Sequence, residues 1–136
     1  MKLKSFLLFF CLLFALSASA RKKQEKIYGI AFYNLENMFD TLHDEGKNDY
    51  EYLPEGRNKW TEEKYRAKLK NMSTVLSQLA TDRVEGGAAV IGMAEVENRH
   101  VLEDLLSQPA LSERGYQIIH FEGPDKRGID CAFFYN

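Results

Sequence analysis

Along the chain, apolar and polar positions alternate in a way that predicts short strands separated by helices and polar loops. Phe6 to Leu16 form an apolar run, preceded by Lys2 and Lys4 and followed by Ala18-Ser19-Ala20. That order of charge, apolar stretch and small residues is the layout of a secretory signal peptide. Ser17 and Ser19 close the run short of the roughly 18 apolar residues that a membrane anchor needs. Residues 1–20 are therefore read as a leader, and residues 21–136 as the folding unit. Cys11 follows the bulky Phe10 and does not suit lipidation.

Within residues 21–136, Ile27 to Tyr33 is rich in aromatic and β-branched residues without helical spacing and predicts a buried strand ending at Asn34. Asp40 to Asn58 turns to Asp, Glu, Gly and Asn and predicts a solvated surface excursion. Thr61 can cap a helix whose apolar positions Tyr65, Leu69, Met72, Leu76 and Leu79 recur every three to four residues. Lys64, Arg66, Lys68 and Lys70 then fall mostly on the other faces, as a solvated stripe. After Gly86-Gly87, Ala88 to Met93 predicts a second buried strand with Glu95 at its end. A second helix follows from Arg99 to Leu106, and Pro109 stops it. Tyr116 to Phe121 and Ile129 to Tyr135 predict a third and a fourth strand.

This order predicts an α/β layered domain with a mixed sheet and helices on one face. The other face is expected to be apolar too: Ile27, Ile30, Phe32, Val90, Ile91, Phe133 and Phe134 leave too few polar alternations for a wet side. A second layer should cover it. Because Asn136 follows directly on a strand, part of the domain is expected to lie outside the sequence, and the chain alone is expected to aggregate or stay loosely packed.

Composition changes the picture little. Eighteen basic against twenty acidic residues give a net charge of −2, and removing Lys2 and Lys4 with the leader makes it −4. No basic surplus announces nucleic acid, although a bound metal can supply positive charge for a phosphate substrate. Once Cys11 is cut away, Cys131 has no partner for an internal disulfide. Its apolar surroundings predict burial.

Candidate chemistry gathers where the first two strands end: Asn34 and Glu36 after one, Glu95, Glu97 and Asn98 after the other. Ligands of α/β sheets collect at such carboxyl ends. Converging carboxylates repel unless a cation separates them, and oxygen donors suit magnesium, manganese or calcium. The acidic stretch Asp40, Asp44, Glu45, Asp49, Glu51 lacks the alternating spacing of a calcium loop.

The strings YNLENMFD (Tyr33 to Asp40), IGMAEVEN (Ile91 to Asn98) and DKRGIDCAFFYN (Asp125 to Asn136) resemble successive signatures of the endonuclease/exonuclease/phosphatase family, which has the deoxyribonuclease I-like fold. LPEG (Leu53 to Gly56) followed by Trp60-Thr61 resembles a secreted bacterial branch of it. The resemblance implies the N-terminal half of a four-layer α/β/β/α sandwich, truncated within residues 21–136. It implies a phosphoesterase using Mg2+, or Mn2+ or Ca2+. Glu95 would be the metal-binding glutamate, Asn34 the asparagine at the metal-bound phosphate, and Glu36 an acidic residue that supports the metal. Asn98 and Arg127 would border the substrate, Arg127 as a fork for phosphate.

A histidine near the scissile phosphate, a G-D-F-N-like pair and an S-D-H segment, which the family uses to finish the site, are not present in the sequence. His43, His100 and His120 do not take their place, so the chain alone is expected to be inactive. The leading expectation is an exported, periplasmic or extracellular nuclease, monomeric when complete and without a membrane span after leader cleavage. Phosphatases, including those of inositol lipids, phospholipid or sphingomyelin phosphodiesterases of the same fold, and a non-catalytic accessory module stand as alternatives.

Overall fold

The computed structural model describes residues 25–136, so the predicted leader lies outside the described residues. Four strands form one sheet: β1 (Gly29–Met38), β2 (Ala88–Val96), β3 (Gln117–His120) and β4 (Asp130–Tyr135), in the order β1-β2-β4-β3. β1 and β2 pair in parallel, while β4 runs antiparallel to both β2 and β3. The expected mixed sheet is therefore present. Helices α1 (Glu62–Gln78) and α2 (Arg99–Ser107) carry the connection from β1 to β2 and the path from β2 to β3.

Helix α1 buries Tyr65, Leu69, Ser73 and Leu76, with Met72 and Leu79 packed against the core, in the predicted stripe. Glu62 and Glu63 sit in its first turn, where the helix dipole favours negative charge. Thr61 stands at the cap position but makes no side-chain capping bond. In α2 the cap is complete, because the Asn98 side chain accepts the Val101 N–H at 3.0 Å. Val101, Leu102 and Leu105 then meet Ile91, Met93, Val96, Ala132 and Phe134 from the sheet in one buried cluster. Burying a leucine or valine side chain in such a cluster is worth about 1.5–3 kcal/mol.

Several expectations are corrected. β1 does not end at Asn34 but runs on to Met38, and β2 continues past Met93 to Val96, so the motif residues lie inside the strands. As expected for this chain by itself, the far face of the sheet is open among the described residues: Ile30 is 79 %, Phe32 66 % and Phe133 44 % exposed. Cys131 is exposed rather than buried. Strand alternation explains this, since Ala132 and Phe134 take the core side of β4 and leave Cys131, Phe133 and Tyr135 outside. On that face Gly92 lies beneath Phe32 and Phe133; a Cβ there would come within 2.7 Å of the Phe32 ring.

The loop between β1 and α1 runs over the surface as expected, but part of it is anchored in the protein. Asp40 and Asp49 are buried, Tyr52 stacks on Phe39 with ring centroids 4.0 Å apart, and Trp60 Nε1 donates to the Phe39 carbonyl at 2.9 Å. Asp40 and Asp49 face inward, where backbone amides need acceptors, while Glu45, Glu51 and Glu55 stay exposed. Asp49 Oδ2 accepts the Asp44 N–H, and Asp40 Oδ1 accepts the Leu42 N–H.

Candidate metal centre at two facing bulges

Pairing of β1 with β2 runs from Ile30↔Val90 to Asn34↔Ala94 and resumes only at Met38↔Val96. Three residues of β1, Leu35 to Asn37, thus face the single residue Glu95. On its other edge β2 carries Glu95 as an extra residue between Ala94↔Cys131 and Val96↔Asp130. Glu36, Asn37 and Glu95 all adopt left-handed backbone angles, with φ of 54°, 58° and 61°. For a residue such as Glu36 or Glu95 this costs about 1–2 kcal/mol, less for Asn37, and strain of this kind persists only where the surroundings hold it. Leu35 and Met38 anchor the bulge by pointing fully into the core.

The bulges bring together two of the predicted residues and a backbone group that the sequence did not reveal. Asn34 Nδ2 donates to Glu95 Oε1 at 3.0 Å, and the Asn37 N–H donates to Glu95 Oε2 at 2.9 Å. Asn34 Oδ1 accepts the Glu36 N–H at 2.7 Å. Because a backbone N–H can only donate, this last bond fixes the amide with its nitrogen toward Glu95. Asn34 therefore aims the carboxylate, and its own oxygen is turned to the chain.

The donor set fits a hard divalent cation. Glu95 is half-buried and each of its oxygens receives one hydrogen bond, leaving lone pairs for an ion; the exposed Glu36 carboxylate stands on the adjoining bulge. Oxygen donors without sulfur or imidazole suit magnesium, manganese or calcium.

Other predicted residues are placed differently. Asn98 is turned inward: besides capping α2, its Nδ2 donates to Asp40 Oδ2 at 3.3 Å and Asp44 Oδ2 at 3.2 Å. Arg127 is exposed and gripped by Asp125, with Nε and Nη2 at 3.3 and 3.2 Å from its oxygens. This pairing holds the Asp125 carboxyl below its ordinary range and raises the guanidinium further, with Glu95 and Tyr52 adding to the latter effect. Arg127, Tyr52, Asn48 and Glu51 line a cleft of about 180 Å3. The Asn48 N–H, bonded to the Lys126 carbonyl at 2.7 Å, ties its two walls together.

Glu97 is the unexpected member of this region. It is 2 % exposed; Oε2 accepts the Asp40 N–H at 2.7 Å, while Oε1 has no hydrogen-bond partner. Burial first, then the charges of Asp40, Asp44 and Asp49, push its carboxyl up to about 8, against the pull of the Asp40 amide. Two glutamates two residues apart thus differ because Glu95 stands half-buried on the β2 bulge, whereas Glu97, just past the end of β2, is sealed in the protein.

Each histidine has a carboxylate of its own: His43 with Asp49 at 2.5 Å, His100 with Asp104 at 3.7 Å and His120 with Asp130 at 3.2 Å. His120, Glu122 and Asp130 form a second group that could hold an ion, with ligand atoms within 4.8 Å of one another. Hydrogen bonds already account for it, since Asp130 Oδ1 accepts the Gly123 N–H and Lys47 pairs with Glu122.

A profile of the endonuclease/exonuclease/phosphatase family matches residues 29–136. The chain belongs to that family. Members of the endonuclease/exonuclease/phosphatase family are hydrolases that act on phosphoesters and generally depend on a divalent metal. No curated protein and no solved structure matches the chain. The match includes both bulges and the Arg127 loop, and the oxygen donors at Glu95 agree with the family's metal dependence.

Proposed function

We propose that this chain carries the cation-holding part of a divalent-metal-dependent phosphoesterase, with a nuclease acting on phosphodiester bonds as the leading reading. One observation carries it: Glu95 is raised on a bulge opposite a second bulge, and both of its oxygens are braced. Magnesium held there would polarise a phosphoryl oxygen and stabilise charge on the attacking or leaving oxygen. Glu95 holds the ion, Asn34 and the Asn37 N–H hold Glu95, and Glu36 supports the rim. Arg127, fixed by Asp125, borders the cleft where groups flanking the phosphate would lie. The leader pattern of residues 1–20 supports export.

The test is hydrolysis of a bis-aryl phosphodiester by the complete gene product, with and without magnesium, in wild type and Glu95→Gln. Losing one metal-directed carboxylate is expected to lower the rate by about 100-fold or more. Magnesium-dependent hydrolysis that survives Glu95→Gln unchanged would overturn the assignment. Inositol phosphates, sphingomyelin and DNA assayed side by side then select among phosphatase, phospholipid phosphodiesterase and nuclease. A binding module without turnover is the second reading, favoured by the histidines' engagement with carboxylates of their own; it predicts metal binding with no hydrolysis of any of these.

A further inference from the structure

Lys68 departs from the solvated stripe expected of the basic residues on α1. Lys64, Arg66 and Lys70 are exposed, whereas Lys68 is half-buried, with its ammonium 5.6 Å from the centre of the Trp60 ring. From there Nζ donates to the carbonyl of Glu36 and, at 3.2 Å, to that of Asn37. Burial lowers the lysine's proton affinity, while the charges of Glu36 and Glu95 act to raise it.

Those two carbonyls belong to the consecutive left-handed residues of the β1 bulge. In that conformation the peptide units turn one way for their oxygens and the other for their amides. The carbonyls of Glu36 and Asn37 meet Lys68, and the amides of the same residues meet Asn34 Oδ1 and Glu95 Oε2. An ammonium has three donors and can bridge two oxygens that would otherwise crowd one another. A side chain that only covered Trp60 would have no need to bridge this pair of carbonyls.

The geometry points to Lys68 as a positioning residue for the candidate metal centre: clamped from α1, the bulge presents the Asn37 N–H to Glu95 and so sets the carboxylate's aim. The inference rests on the reading of Glu95 as the ion-holding group, and its test has one arm that does not depend on that reading. In metal-free protein, hydrogen exchange of the Asn37 amide is compared in wild type, Lys68→Met and Lys68→Arg, with the Glu97 amide, which bonds the Met38 carbonyl, as an internal reference. Exchange at Asn37 is expected to speed up about tenfold or more in Lys68→Met relative to that reference, and to recover in Lys68→Arg. Unchanged Asn37 exchange in Lys68→Met overturns the proposal whether or not an ion binds.

In the second arm, Mn2+ affinity is read from the electron paramagnetic resonance of the free ion. Lys68→Met is expected to weaken it about 10–100-fold, as removal of groups supporting a ligand does, and Lys68→Arg to restore most of it. Equal Mn2+ affinity in Lys68→Met and wild type also overturns the proposal. Absence of Mn2+ binding in wild type strikes the reading of Glu95, and the exchange arm then decides on the clamp. Should Lys68→Met lose its cooperative melt, Lys68→Gln, which keeps an uncharged donor, replaces it in both comparisons.

Discussion

Glu95 and Glu97 show how much of a side chain's chemistry is set by its burial. Glu95 is half-exposed and braced by two donors; Glu97 is sealed among Asp40, Asp44 and Asp49 with one oxygen unpaired. Because the folded value of about 8 for Glu97 lies above the ordinary 4.5, the folded chain keeps a proton between these values that the unfolded chain has released. Its contribution to stability is therefore full below pH 4.5, declines as pH rises and is smallest above about 8. Glu97→Gln keeps the acceptor for the Asp40 amide and cannot ionise. In metal-free buffer it is expected to melt above wild type at about pH 9 and close to it at about pH 5. Thermal melts at the two pH values check this, and an equal difference at both would refute the raised value.

Among the elements, the bulged strand ends and the cap of α2 carry most of the local specification. Asn98 joins them: its oxygen caps α2 and its nitrogen holds Asp40 and Asp44, which belong to the loop leading away from the β1 bulge. Asn98→Ala is expected to cost about 1 kcal/mol for the cap alone, and more because two acidic side chains lose a shared donor. Urea denaturation measures the total; Asn98→Ser, which can cap but cannot bridge the two carboxylates, separates the contributions. The helical stripe of α1 was legible from the spacing of Tyr65, Leu69, Met72 and Leu76. The β1 bulge was not, because Leu35, Glu36 and Asn37 read equally well as the end of a strand. Asn37 was the faint signal there, asparagine being among the side chains that tolerate left-handed backbone. Lys68 resembles its three basic neighbours in sequence, and only the distance to the bulge carbonyls sets it apart.

For the whole molecule, the sheet is the organising feature. Its helix-covered face holds the core, and its other face presents Ile30, Phe32, Ile119, Phe133 and Tyr135 to solvent. A contiguous apolar surface of this kind promotes association. Sedimentation velocity of the chain is expected to show a weight-average size that grows with concentration, and Phe32→Thr with Phe133→Thr to reduce the growth. A strictly monomeric wild type over a hundredfold concentration range would refute this, with about 1 μM to 100 μM spanning the usual range of weak association. Among the described residues, no helix is long and apolar enough to cross a membrane.

The amino-acid sequence by itself determined the alternation of strands and helices, the mixed sheet, the apolar character of both sheet faces and the motif strings that mark the family. These depend on local periodicity and residue type, which neighbours along the chain suffice to define. Only the tertiary structure decided that Glu95 stands opposite a three-residue bulge, that Asn34 aims it, that Glu97 is sealed away, and that Lys68 reaches the bulge. Each of these depends on strand register and on contacts between residues 31 to 61 positions apart. Register is set by how whole faces pack, and a shift of one residue would send the strand side chains Asn34 and Glu95 to the other side of the sheet.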